Sequence, residues 1–217
     1  MKIGVVVERV HTEDVLPEVR EAVLEAVEVL KERGAEVREI SLPMIPHTAA
    51  FSLVGELVEA ASIHHRWVRE RLDEYQNELR LTLLMASLIP AQTYYKANQL
   101  RAYWREEMLA AFDSVDLMVY PTAPSVAPTV PPPSGLASRE DMKVNFFGRR
   151  SFTHPASLAG CPALSVNCGF TDAGLPMGLQ LIGRPFEDGT VLRAGHVYEQ
   201  ATPWHKKRPP GFGPGGE

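Results

Sequence analysis

The first forty residues switch between two hydrophobic periods. Lys2–Val7 is a β-branched run, which is typical of a buried strand. Pro17 suits the start of a helix, an apolar stripe at helical spacing extends from Val19 to Leu30, and Gly34 is a typical residue just beyond a helix end. Ala35–Ile40 then alternates apolar and charged residues, as in a half-exposed strand. The pattern predicts a strand–helix–strand unit with parallel pairing, because the connection is long enough for a crossover.

Residues 48–112 have a helical period that is broken near Pro90. Three apolar stripes carry this period: Phe51, Val54, Leu57 and Val58; Leu79, Leu83, Leu84 and Leu88; and Tyr94, Ala97, Leu100, Tyr103 and Trp104. Val115–Tyr120 is again a short apolar strand. Residues 121–138 contain six prolines, which predicts an extended surface loop.

The carboxyl-terminal third returns to short, sharply bounded elements. Pro155 suits the first turn of a helix that we expect to stop at Gly160. Two strands, Ala163–Cys168 and Met177–Ile182, flank a turn over residues 171–174, and a helix follows over residues 188–200. Residues 202–217 are rich in proline and glycine and are predicted to be a disordered tail.

Composition narrows the function classes. Lys and Arg number 22 against 27 Asp and Glu, a formal charge of −5 that argues against a nucleic-acid partner. The two cysteines, Cys161 and Cys168, form no CxxC pair, so we expect reduced thiols rather than a disulfide framework or a metal site. No apolar run reaches the ~18 residues of a membrane span. We therefore expect a cytoplasmic protein with no membrane partner.

Three segments carry a family resemblance. Residues 116–124 (DLMVYPTAP) resemble the "DL…PTAP" strand and loop of the amidase signature family, residues 152–166 (FTHPASLAGCPALSV) its "FT-P-NLAG-PA-SVP-G" stretch, and residues 174–183 (GLPMGLQLIG) its "GLP-GLQLIG" strand. The resemblance implies an α/β fold, the C-terminal half of the amidase signature fold, with a mixed β-sheet flanked by helices. Residues 1–201 are then an incomplete amidase-type domain.

The resemblance also implies a mechanism that this chain does not carry. Family members hydrolyse amides with a Ser–cis-Ser–Lys triad whose serines lie in and after a GGSSGG-like loop, with an oxyanion held by backbone N–H groups. The one Gly-Gly pair here is Gly215-Gly216, in the tail. We therefore assign no catalytic residue, no metal ligand and no cofactor, and expect the chain to be inactive alone.

Other nucleophile and metal arrangements rank far lower. Ser151, Ser157 and Ser165 lie near His154, but Ser165 is expected to point into the core and His154 to lie at a helix start or on the surface. The His64-His65 pair is expected on a solvated helix face, because adjacent helical side chains point about 100° apart.

The family's substrate-pocket wall corresponds to four positions in this sequence. These substrate-binding candidates are Thr122, Phe147, Arg150 and Thr153. The glutamine-using branch of the family carries an acidic residue two positions before the "FT" phenylalanine, where this chain has Arg150. A guanidinium there would repel an α-ammonium group, so the sequence favours a small-molecule amide over glutamine.

Incompleteness predicts a partner, either an N-terminal amidase half or a second copy of the chain. We expect strands 163–168 and 177–182 to leave a sheet edge and an apolar face exposed. The alternative is a non-catalytic binding or scaffold remnant of an amidase or of the family's amidotransferase members. Nucleotide binding by a small α/β protein ranks last, because no glycine-rich loop follows the first strand.

Overall fold

The computed structural model describes residues 1–129 and 152–209, which belong to two compact units. The sheet unit comprises Met1–Leu42, Ala111–Pro128 and the chain from Cys161 onward. The helical unit comprises Pro43–Ala110 and, of the second segment, residues 129 and 152–160. None of the helices within the described ranges is long and apolar enough to cross a membrane.

Five strands form the sheet unit: β1 (Lys2–Val6), β2 (Glu36–Ile40), β3 (Leu117–Pro121), β4 (Ala163–Phe170) and β5 (Pro176–Gly183). Their spatial order is β2–β1–β3–β5–β4. β1 is parallel to β2 and to β3, whereas β5 is antiparallel to β3 and to β4. The predicted parallel pair and mixed sheet are confirmed. The expectation that both later strands border an open edge is wrong for β5, because β3 and β4 pair with its two sides.

Two helices cover one face of this sheet. They are α2 (Pro17–Glu32) and α7 (Asp188–Ala201), which contact each other and β5. A Cβ at Gly195 in α7 would come within 2.4 Å of Leu164 and 3.7 Å of Leu181, so helix and sheet pack closely there. Since strand side chains alternate between faces, Ser165 and Gln180 lie on the opposite face.

The helical unit contains α3 (Thr48–Glu70), α4 (Asn77–Ala86), α5 (Ala91–Ala111, of which Ala111 is in the sheet unit) and α6 (His154–Ala159). Each predicted stripe supplies at least one buried side chain, among them Phe51, Leu83 and Trp104. The leucine stripe is mostly solvent-facing: Leu79, Leu84 and Leu88 are exposed, Leu88 by 81%. The period therefore identified the helices correctly but not which positions are buried.

Glycine and proline bound several elements as predicted. Gly34 (φ +91°) follows α2, Gly160 (φ +68°) follows α6, and Gly174 (φ +79°) lies in the turn between β4 and β5. The first part of the predicted tail is structured: residues 204–206 form a 3₁₀ turn, and the Lys207 ammonium lies 4.7 Å from the ring centre of Phe170 in β4. The tail from residue 210 lies outside the described residues.

Candidate functional site

Thr122 is fixed at the point where β3 ends. Its backbone N–H donates to the Gly178 carbonyl of β5 at 2.8 Å. Its hydroxyl oxygen lies 2.6 Å from that of Ser165 on β4, within hydrogen-bond distance. Thr122 is half-buried, whereas Ser165 is exposed. The expectation that Ser165 points into the core is therefore wrong, because its strand alternation places it on the face opposite α7.

Two buried polar side chains, Tyr120 and Gln180, lie on the same face of the sheet as Ser165. In the strand register Gln180 of β5 lies between Tyr120 of β3 and Ser165 of β4. Gln180 is 4% exposed, Tyr120 is fully buried, and the two side chains interact. Burial raises the pKa of the Tyr120 phenol far above its ordinary value, and the interaction with Gln180 opposes that shift. Tyr120 is therefore a neutral hydrogen-bonding group.

A buried cation lies near Tyr120. Arg9 is on the four-residue helix α1 (Val7–Val10), which directly follows β1, and only 5% of it is exposed. Burial lowers the pKa of the Arg9 guanidinium, whereas Tyr120, Asp14 and Glu8 raise it. β1 and β3 are parallel, so α1 and Thr122 both lie at the carboxyl edge of the strands, the edge at which α/β sheets commonly bind ligands.

Hydrogen bonds connect the segments that follow β1 and β3. The Leu16 N–H donates to the Pro124 carbonyl at 2.9 Å. Arg20 of α2 donates to the carbonyls of Val10 and Thr12 at 2.9 and 2.8 Å, which holds the loop after α1. The Thr122 segment is therefore tied to neighbouring backbone on both the β5 side and the α1 side.

Thr153 belongs to the helical unit, where it is the exposed residue just before α6. The first residue of α6, His154, places Nε2 3.3 Å from Oε1 of Glu56 on α3. A cleft of about 250 Å³ lies beside this contact between α3, α5 and α6, and its lining combines polar residues such as Ser52 and Asn98 with the apolar Phe51 and Leu158.

The remaining sequence candidates have different outcomes. Phe147 and Arg150 lie outside the described residues. Thr122 and Thr153 fall in separate units, and each is described only within its own. His64 is partly buried, with Nδ1 2.8 Å from the Tyr75 hydroxyl, whereas His65 is solvent-exposed, so only His65 fits the predicted solvated face.

The side chains at the Thr122 edge can form hydrogen bonds to a ligand. Hydroxyls, a phenol, a carboxamide and a guanidinium offer donors and acceptors for a polar ligand. Arg9, Tyr120 and Gln180 were not among the sequence candidates, and Ser165 was considered only in a low-ranking nucleophile arrangement. One signal for them is visible in the sequence: a glutamine interrupts the otherwise apolar strand of residues 177–182.

Comparison with known sequences gives consistent matches. The family model described as Amidase matches residues 1–192. The A subunit of glutamyl-tRNA(Gln) amidotransferase from Alkalilimnicola ehrlichii is 34% identical, with 98% of this chain and 47% of the relative aligned. The corresponding protein of Roseiflexus sp. is 36% identical over 89% of this chain and 43% of the relative. The chain thus spans about half the length of the curated relatives it matches.

Solved structures agree with the sequence matches. A crystal structure described as an amidase superposes with a TM-score of 0.78 at 29% identity, covering 92% of this chain and 45% of that one. The A subunit of glutamyl-tRNA(Gln) amidotransferase from Thermotoga maritima gives a TM-score of 0.72 at 29% identity, covering 94% and 43%. Both neighbours share the fold of this chain over less than half of their own length.

Proposed function

Because this chain belongs to the amidase signature family, we propose that it supplies the C-terminal part of an enzyme that hydrolyses carboxylic amide C–N bonds. Its role there is to complete the fold and to form one wall of the substrate pocket. The observation that carries the proposal is the match over residues 1–192 to a family whose relatives are aligned over only 43–47% of their length.

The catalytic groups belong to the complementary half. Family resemblance puts the nucleophilic and bridging serines in and after a glycine-rich loop and the lysine well before them, and these 217 residues contain no such loop. In the assembled enzyme the lysine takes the serine proton through the bridging serine, the serine attacks the amide carbonyl, and backbone N–H groups stabilise the oxyanion. The 217-residue chain alone is then inactive.

The pocket wall is formed by Thr122, Phe147, Arg150 and Thr153. Support for Thr122 comes from its fixed geometry between Ser165 and Gly178 at the carboxyl edge of the sheet. Arg150 disfavours the α-ammonium group of glutamine, since two cations in one pocket repel each other. The substrate class is therefore a small amide without a positive charge near the scissile bond.

The complementary half docks at the outer edge of β4, with which no strand among residues 1–129 and 152–209 pairs. Charged residues commonly protect an edge strand from pairing, and β2 at the other end of the sheet has three of them in five residues, Glu36, Arg38 and Glu39. The eight residues of β4, ALSVNCGF, include none. This asymmetry favours β4 as the edge that accepts a strand from the complementary half.

Co-expression tests the proposal. The chain is produced with the N-terminal half of a family relative that carries the glycine-rich loop, and hydrolysis of simple aliphatic and aryl amides is measured. Turnover is expected from the pair and from neither half, and it is lost when the loop serine is replaced by alanine. Amide exchange in β4 slows on assembly while exchange in β2 does not change. Association without turnover would instead support a non-catalytic scaffold.

A further inference from the structure

The proposed wall residue Thr153 directly precedes a six-residue helix, and neighbouring helices hold that helix in place. α6 spans His154–Ala159 and ends at Gly160. Thr153 at its amino end makes no capping hydrogen bond through its side chain. Helices this short are unstable by themselves in water, because nucleation costs more than a few backbone hydrogen bonds return. The position of α6 therefore depends on its contacts with α3 and α5.

One face of α5 binds three backbone carbonyls of α6. The indole Nε1 of Trp104 donates to the Pro155 carbonyl at 2.8 Å in a buried contact. Nε of Arg101 donates to the Leu158 carbonyl at 3.0 Å. Arg105 donates to the carbonyl of Ala159.

The spacing of the three α5 donors shows that they act from one side of that helix. Positions 101, 104 and 105 share one face of a helix, since they are separated by three and four residues. The last carbonyls of a helix accept no hydrogen bond within the helix, and cations near that end also interact favourably with the helix dipole. Arg101 and Arg105 thus satisfy carbonyls at the carboxyl end of α6, whereas Trp104 binds the Pro155 carbonyl in its first turn.

The opposite end of α6 is held by α3. Glu56 approaches His154 at 3.3 Å, and it also accepts a hydrogen bond from the Ser52 hydroxyl at 3.1 Å, which limits its rotamers. α6 is therefore held at both ends within the helical unit. A shift of α5 relative to α3 is transmitted to Thr153, which is covalently attached to the first residue of α6.

We propose that Trp104 and Arg101 are positioning residues that set the location of Thr153, and through it the fit of the substrate, without contacting substrate themselves. This inference rests on the proposed function, because it assumes that Thr153 lines the substrate pocket. Substrate choice is then determined in part by a helix behind the pocket wall. Its consequence is that substitutions on α5 alter substrate binding more than the chemical step.

Two variants test the positioning role. Trp104→Phe keeps a buried ring and removes the N–H donor, whereas Arg101→Met removes an exposed donor and leaves the core unchanged. Tyr103→Phe, on an exposed position of the same helix, is the matched control. In the isolated chain, amide hydrogen exchange over residues 154–160 is expected to accelerate about tenfold in both variants, with exchange in the sheet unchanged. Unchanged exchange in α6, or equal acceleration throughout the chain, would overturn the proposal.

The assembled enzyme provides the second readout. Both variants are expected to raise KM about three- to tenfold while kcat stays within about twofold, because they weaken substrate fit and leave the catalytic groups in place. A fall in kcat at constant KM would contradict the positioning role. If the wild-type assembly has no amidase activity, the proposed function fails. The exchange experiment on the isolated chain then still decides whether α5 holds α6.

Discussion

The hydroxyl oxygens of Thr122 and Ser165 lie 2.6 Å apart, although 43 residues separate them in the chain. Gly178 makes this contact possible. A Cβ built on Gly178 would lie 2.8 Å from Oγ1 of Thr122 and 2.9 Å from Oγ of Ser165, both closer than real side chains allow. The position of the Thr122 hydroxyl therefore depends on the absence of a side chain at Gly178, on the strand between β3 and β4.

We expect Gly178→Ala to separate this hydroxyl pair and to lower the free energy of unfolding by about 1–3 kcal/mol, the usual cost of overpacking. Urea unfolding of the isolated chain measures the change. Gly55→Ala on α3 is the matched control, since a Cβ there meets nothing within 4 Å and alanine favours a helix by about 0.5–1 kcal/mol. A Gly178→Ala variant as stable as wild type would contradict the tight packing at Gly178.

α4 and the turn after it present an apolar face to solvent. Leu81, Leu84, Met85 and Leu88 are exposed at spacings of three, four and seven residues, while Leu83 faces inward. Because a helix that is apolar on both sides is normally covered, the isolated chain is expected to self-associate with increasing concentration in sedimentation velocity.

The double variant Leu84→Glu/Leu88→Glu should shift that association to higher concentration. Leu192→Glu is the control, because Leu192 on α7 is also exposed but belongs to a different unit. If the wild-type chain sediments as a monomer at every concentration, the apolar face does not drive association.

The thiol of Cys168 makes the free energy of unfolding depend on pH in the alkaline range. Burial raises the pKa of its thiol to about 12, so the folded chain keeps a proton that the unfolded chain loses near pH 9. The contribution of this thiol to the free energy of unfolding is therefore fully present below about pH 9. It is lost as the pH rises towards 12, at up to about 1.4 kcal/mol per pH unit. Tyr198, whose pKa burial raises to about 12, adds to the same trend.

Urea midpoints at pH 8 and at pH 10.5 measure this dependence. Cys168→Ala should reduce the loss of stability between the two pH values, whereas Cys161→Ala, at a half-buried site, should leave the Cys168 contribution intact. An unaltered pH dependence in Cys168→Ala would mean that this thiol is not the responsible group.

Local patterns predicted most of the fold. Proline at the start and glycine after the end located α6, and the β-branched run and alternating run located β1 and β2. The order of the strands was not available from these patterns, because the β3–β5 pairing joins segments about sixty residues apart and depends on tertiary packing. That pairing is why β5 is interior and β4 alone of the two is an edge strand.

The site was less accessible to prediction. Thr122 and Thr153 are proposed as wall residues from the family resemblance, whereas Ser165 was expected on the wrong face because its strand register was unknown. Trp104 was recognised only as part of an apolar stripe. Its indole N–H donates to the Pro155 carbonyl, 51 residues away in the sequence. A local hydrophobic period cannot predict such a contact.

Labelling with a serine-directed fluorophosphonate tests the central claim most directly. The chain is labelled alone and in complex with an N-terminal amidase half, and the modified residue is located by peptide mass spectrometry. We predict one label on the glycine-rich-loop serine of the complementary half and none on the 217 residues of this chain. A stoichiometric label on any serine of this chain, with amide turnover by the chain alone, would contradict the assignment of the catalytic groups to the complementary half.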